Sequence, residues 1–182
     1  MAKRIPPGFN RQFACLDWPG FPRAEFARLL DEARAGMLTA SPVRIQGSDR
    51  DAGAIEASRS NAERAGVAAD IEFSQSAISA IAVPAAPTGL MVANPPYGIR
   101  VGERHEVRNL FAQLGHVARR HCAGWRLAIL SPDIKLTTQV GFPMRTVLRT
   151  CNGGIPVQVD VGAIAGAEPA GRVYFGRPET MM

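Results

Sequence analysis

The chain has 182 residues, 46% of them hydrophobic, with 20% charged and a net charge of +5. That is one domain by length, large enough for a real core and ordinary for a globular protein, and the basic balance permits a polyanionic partner. Three cysteines with no Cys-x-x-Cys pair argue against a disulfide framework or a zinc site and for a reducing compartment. Neither a signal peptide nor an apolar run of about 18 residues occurs, which predicts a cytoplasmic protein without a membrane span.

Residues 1–22 read as an irregular basic segment. Pro6, Pro7, Pro19 and Pro22 exclude long elements, and Phe9, Phe13, Trp18 and Phe21 are expected to pack it down. Arg23 to Met37 is a helix with Phe26, Leu29, Leu30, Ala33 and Met37 on one face. Val43 to Gly47 is a strand, and Asp51 can cap a helix over Ala52–Ala65 whose inward residues are Ile55, Ala62 and Ala65, with Gly66 as its C′ residue. Ile71 to Phe73 is the next strand.

Leu90-Met91-Val92-Ala93 read as the end of a buried strand, broken abruptly by Asn94-Pro95-Pro96-Tyr97-Gly98. Glu106 to Cys122 is a helix with Leu110, Phe111, Leu114, Val117 and Ala118 as its buried stripe; His105, His116 and His121 form no metal-like constellation. Arg126 to Leu130 is a buried strand. Arg145–Cys151 and Pro156–Ile164 are two further strands joined around Asn152-Gly153-Gly154, a strong hairpin signal. The Gly/Pro/Ala-rich stretch 165–182 reads as a loose tail.

Everything turns on the stretch from Asn94 to Tyr97. Two prolines remove two backbone donors and fix two φ angles, so the chain leaves the sheet as a rigid turn at a strand's C-terminal end, where open α/β sheets bind ligands. The chemistry that suits it is methylation of an exocyclic amine on a base, a poor nucleophile because its lone pair is delocalised into the ring. The Asn94 side-chain carbonyl can accept one N–H, and the Pro95 carbonyl, aimed by Pro96, the other; two acceptors favour a pyramidal nitrogen and turn its lone pair toward a methyl donor. Tyr97 can stack on the base. The other reading is a Pro-rich turn with Tyr97 as ordinary packing.

This motif resembles the amine-methylating motif of methyltransferases that use S-adenosyl-L-methionine. Pro7-Gly8-Phe9 to Trp18, Gly47-Ser48-Asp49, Asn61 to Gly66, Asn94 to Arg100 with Gly102, and Asn152-Gly153 extend the likeness over Pro7 to Ile164. The whole resembles the catalytic domain of the THUMP-associated RNA guanine-N2 methyltransferases of the large-subunit ribosomal RNA type. The resemblance implies an α/β, Rossmann-like methyltransferase fold over residues 1–182, mostly parallel, closed by a C-terminal antiparallel hairpin. It implies that Asp49, beside Ser48, holds the cofactor's ribose hydroxyls, although Asp49 and Asp51 could both be helix-start residues. At the adenine contact the family's usual Asp is replaced by Ser76-Ala77, where Ser76 substitutes weakly. Arg100, Arg104 and Arg108 form a basic cluster near the base pocket that can meet RNA phosphate or remain solvated. The implied activity is methyl transfer to guanine N2 in ribosomal RNA, with an adenine-N6 nucleic-acid methyltransferase and a non-catalytic remnant as alternatives.

The family's Gly-rich loop for the methionine end of the cofactor, together with its strand, is expected before Pro7, where only six residues stand. The chain is therefore expected to be incomplete at its N-terminus, the distal part of a longer methyltransferase or a degenerate copy, and to bind S-adenosylmethionine weakly alone. The absent strand would lie between the Val43–Gly47 and Leu90–Ala93 strands and leave two edges without their partner. Oligomeric state and the particular nucleotide are open at this level.

Overall fold

The computed structural model describes residues 2–97 and 104–164. Two compact units divide the chain, Met1–Ala77 and Ile78–Met182.

In the first unit, α1 (Arg23–Ala35) is followed by β1 (Ile45–Asp49), α2 (Ala52–Arg64) and β2 (Ile71–Gln75), with β1 and β2 paired in parallel from Ile45↔Ile71 to Asp49↔Gln75. The strand predicted at Val43–Gly47 lies two residues further on, so Gly47, Ser48 and Asp49 are themselves strand residues. Asp51 caps α2: its Oδ1 accepts from the Ala54 N–H at 2.8 Å. Gly66 takes φ +68°, the left-handed C′ conformation expected of it. Ile55 and Ala62 are buried, but Ala65 is exposed, because α2 ends at Arg64 and Ala65 already turns away from the strands. The N-terminal segment carries only a short 3-10 turn, Ala14–Asp17. Phe13 and Phe21 meet Phe26 edge-on and Phe9 lies under Arg34, but Trp18 is 67% exposed, against the expectation that it packs. Lys3 ties the segment down: its Nζ lies 2.9 Å from Asp70 Oδ2 as an ion-pair contact, while the Ser41 N–H donates to Asp70 Oδ1 at 2.6 Å.

The second unit holds β3 (Leu90–Ala93), α3 (Arg104–His121), β4 (Arg126–Ser131), a one-turn α4 (Ile134–Thr137), β5 (Arg145–Asn152) and β6 (Ile155–Ala163). Its sheet runs β3-β4-β6-β5: β3 and β4 are parallel, and β6 pairs antiparallel with both β4 and β5. The core lies between α3 and β4, where Phe111, Leu114, Ala118, Cys122, Leu127 and Ile129 are buried with Val140 and Ile164. Burial pushes the Cys122 thiol pKa up. Helical spacing delivered the stripe, except that Val107 is buried and Leu110 only half-buried.

β3 corrects the expectation of a buried strand. Met91 and Ala93 pack toward the core, but Leu90 is 59% and Val92 71% exposed, since alternate strand residues face opposite sides. Just before the neighbouring strand β4, Trp125 is half-buried, its indole N–H donating to the Ala86 carbonyl at 2.9 Å. The β5–β6 turn is Gly153-Gly154, with φ +56° and +82°, as a two-residue hairpin with two positive φ angles requires. The predicted tail 165–182 lies outside the described residues.

Candidate active site

In the second unit the parallel register ends at Ala93↔Ile129, and the next residue, Asn94, leaves the sheet. Pro95 and Pro96 cannot donate to a ladder, so the chain turns here, and Tyr97 comes back over Asn94. The Tyr97 Oη–H donates to Asn94 Oδ1 at 3.0 Å. Asn94 and Pro96 are exposed, and Pro95 and Tyr97 half-buried. The Pro95 carbonyl and Asn94 Nδ2 have no hydrogen-bond partner among the described residues.

Asn152 completes this cluster, and sequence reasoning missed it. Its Nδ2 donates to Tyr97 Oη at 2.7 Å, from 55 residues along the chain. The signal was present. Gly153 and Gly154 supply both positive φ angles of the turn, so the asparagine before them is a strand residue that the turn does not require.

In the first unit, Asp49 ends β1 beside Gln75 of β2. Its backbone carbonyl accepts from the Ser76 N–H at 2.8 Å, and its Oδ1 accepts from the Asp51 N–H at 2.9 Å. Because Asp51 alone caps α2, Asp49 is not needed there; its Oδ2 has no partner among the described residues, and the side chain is exposed. An exposed carboxylate at the C-terminal end of a parallel strand, with one oxygen unpaired among the described residues, is the acceptor that vicinal hydroxyls require. Ser48 is exposed and pairs with Ser74 across the ladder. Ser76 is half-buried and donates its Oγ–H to the Ala77 carbonyl at 3.2 Å, while Ala77 is exposed. The chemistry of these groups fits the ribose of an adenosyl cofactor and offers a weak polar partner beyond it.

Of the predicted basic cluster, Arg108 is exposed on α3; Arg100 and the Arg104 side chain lie outside the described residues. His105, His116 and His121 are exposed, and among the described residues no three His, Cys, Asp or Glu side chains gather as a metal cluster. Among those residues no helix is long and apolar enough to cross a membrane.

Solved structures share this fold. A methyltransferase-assigned protein crystallised with SAH matches with a TM-score of 0.80 and 25% identity over 92% of this chain and 44% of its own. A Listeria monocytogenes protein, predicted to be an N6-adenine-specific DNA methylase, matches with a TM-score of 0.72 and 29% identity over 86% of this chain and 40% of its own. The fold is thus the Rossmann-like α/β fold of the S-adenosylmethionine-dependent methyltransferases. More narrowly, the chain belongs to the RMKL-like methyltransferase domain family, which it matches over residues 1–150. The ribosomal RNA large subunit methyltransferase K/L of Syntrophotalea carbinolica is 37% identical over 157 residues, 82% of this chain and 22% of that protein. The chain spans between 22% and 40% of the length of the curated relatives it matches.

Proposed function

We propose that this chain carries the amine-methylating site of an RNA methyltransferase acting on guanine N2 in ribosomal RNA, a substrate met in the cytoplasm, and that residues 1–182 serve as one catalytic domain. The observation that carries the reading is Asn94, set at the end of β3 with a side-chain carbonyl held by Tyr97, beside a Pro95 carbonyl that has no hydrogen-bond partner among the described residues. Family membership and the K/L relative support an RNA substrate.

S-adenosylmethionine, when bound, supplies the methyl group. Asn94 Oδ1 has two lone pairs; Tyr97 takes one, and the other accepts one N–H of the base amine. The Pro95 carbonyl accepts the second N–H, its direction fixed by the Pro96 ring. Both acceptors bind the amine more strongly as its nitrogen becomes pyramidal and its N–H bonds more polar, which is preferential binding of the transition state. The Tyr97 ring stacks on the base, worth about 1–3 kcal/mol. Asp49 accepts from the ribose hydroxyls, with Ser48 beside it and Ser76-Ala77 next in line. Arg100, Arg104 and Arg108 meet RNA phosphate.

Transfer of labelled methyl to undermodified ribosomal RNA, followed by nucleoside analysis, tests this. Asn94→Ala should lower kcat by about 10²-fold or more, the scale of losing one preorganised partner of a developing charge. Near-normal turnover in that variant refutes the assignment. The second reading is favoured by the Listeria neighbour: adenine N6 presents the same NH₂ to the same two acceptors. Label recovered in N6-methyladenine instead of N2-methylguanine selects it.

A further inference from the structure

We propose that Asn152 is a positioning residue for the Asn94 site: through the Tyr97 hydroxyl it sets which atom of the Asn94 amide faces the substrate. The inference rests on the reading of Asn94 as an acceptor for the base amine. Asn152 Nδ2 lies 2.7 Å from Tyr97 Oη, and Tyr97 Oη lies 3.0 Å from Asn94 Oδ1. An amide nitrogen donates and does not accept, so the hydroxyl accepts from Asn152 and has one proton left to give. That proton goes to Asn94 and demands an oxygen there. Reversing the relay would turn the Asn94 NH₂ toward Tyr97 and displace the carbonyl oxygen that the mechanism uses.

The fold shows how Asn152 reaches the site. β5 runs in the same direction as β3 and β4, because β6 is antiparallel to both β4 and β5. Ser131, the last residue of β4, is level with Gln158, which is level with Arg149 on β5. Thr150, Cys151 and Asn152 continue past that level for about 10 Å at the usual strand rise. The hairpin therefore overhangs the sheet at the edge from which Asn94 departs.

The test uses the full chain and the variants Asn152→Asp, Tyr97→Phe and their combination. The Asn152→Asp carboxylate can only accept, so it pulls the hydroxyl proton away from Asn94. This should lower kcat for methyl transfer to undermodified ribosomal RNA by about tenfold, the worth of one ordinary hydrogen bond, with KM for S-adenosylmethionine unchanged. On the Tyr97→Phe background the same substitution should cost nothing further, since the relay is already gone. Additive losses, or a raised KM with kcat intact, would overturn the proposal. A second readout is independent of activity: the chain has five asparagines, and with ¹⁵N-asparagine labelling the Asn152 side-chain amide resonances should move in Tyr97→Phe. Unmoved resonances would overturn the relay itself. Moved resonances together with undiminished methyl transfer in Asn94→Ala would instead sink the reading of Asn94, and the positioning role with it.

Discussion

Gly115 offers a test in which two ordinary expectations have opposite signs. It sits in the interior of α3, where alanine is preferred over glycine by about 1 kcal/mol on helix propensity alone. A Cβ at this position, however, would stand 2.0 Å from the Val140 carbonyl oxygen and 2.5 Å from its Cα, well inside the 3.0 Å that real Cβ contacts respect. The obstacle is backbone, and Val140 is fully buried in the core that α3 shares with β4. The 3-10 turn Thr138–Val140 would have to retreat by about 1 Å, and overpacking of this kind costs typically 1–3 kcal/mol. The retreat also breaks the bond from the Arg119 guanidinium to the Val140 carbonyl, worth about 1 kcal/mol. Setting these against the propensity gain, Gly115→Ala should destabilise by about 2 kcal/mol. Urea denaturation followed by far-ultraviolet circular dichroism measures it. A variant as stable as the parent, or more stable, would refute the packing of α3 against this turn.

Further outcomes follow from other contacts. Asp160 is fully buried and accepts from Thr137 Oγ1 at 2.6 Å, Thr146 Oγ1 at 2.7 Å and Gln158 Nε2 at 2.9 Å; Asp160→Ala leaves Thr146 and Gln158 without that acceptor, while Thr137 keeps the Asp133 carbonyl at 3.3 Å, and should cost about 3 kcal/mol in the same denaturation, with a loss below 1 kcal/mol contradicting the network. The Asp70 carboxyl is held below its ordinary 3.8 by the Ser41 N–H and then by Lys3. A depressed carboxyl stabilises above the unfolded value, and that contribution fades as pH falls through the lower folded value. The Tm difference between the parent and Asp70→Asn should therefore be full at neutral pH and shrink below pH 3.8; a difference independent of pH would exclude the pairing. If Arg100, Arg104 and Arg108 meet phosphate, replacing all three with alanine should flatten the salt dependence of RNA affinity by roughly 0.7 in log–log slope per lost contact, and an unchanged slope would leave them solvated.

Local rules carried the elements whose signals were chemical. Asp51, Gly66 and Gly153-Gly154 each fill a position with a specific backbone demand, and each stands where that demand is met. Periodicity carried α3, because a helix with five apolar residues at 3.6-residue spacing has one way to face a core. It failed on Leu90–Ala93, where four apolar residues in a row do not reveal that alternate ones stand exposed. Trp18 misled in the same way: aromatic bulk predicts burial on average, not in a given loop. The site was legible where it is contiguous, from Asn94 to Tyr97, whose covalent stiffness is written in two prolines. Asn152 was marked only as a residue the turn does not require; its contact across 55 residues depends on strand order and on how far a hairpin overhangs its sheet, and neither is a local property.

The two tryptophans give the chain an optical readout of its own architecture. Trp18 belongs to the first compact unit and stands largely in water; Trp125 belongs to the second and is half-buried, with its indole N–H held by the Ala86 carbonyl. Indole emission moves to longer wavelength with hydration, so the native spectrum is the sum of a red component from one unit and a bluer one from the other. Loss of the second unit's packing would redden the bluer component while the red one scarcely changes. Emission recorded at two wavelengths during unfolding can thus follow the second unit separately without any label, and replacing Trp18 with phenylalanine isolates the fluorophore that sits at the start of the strand leading into the core.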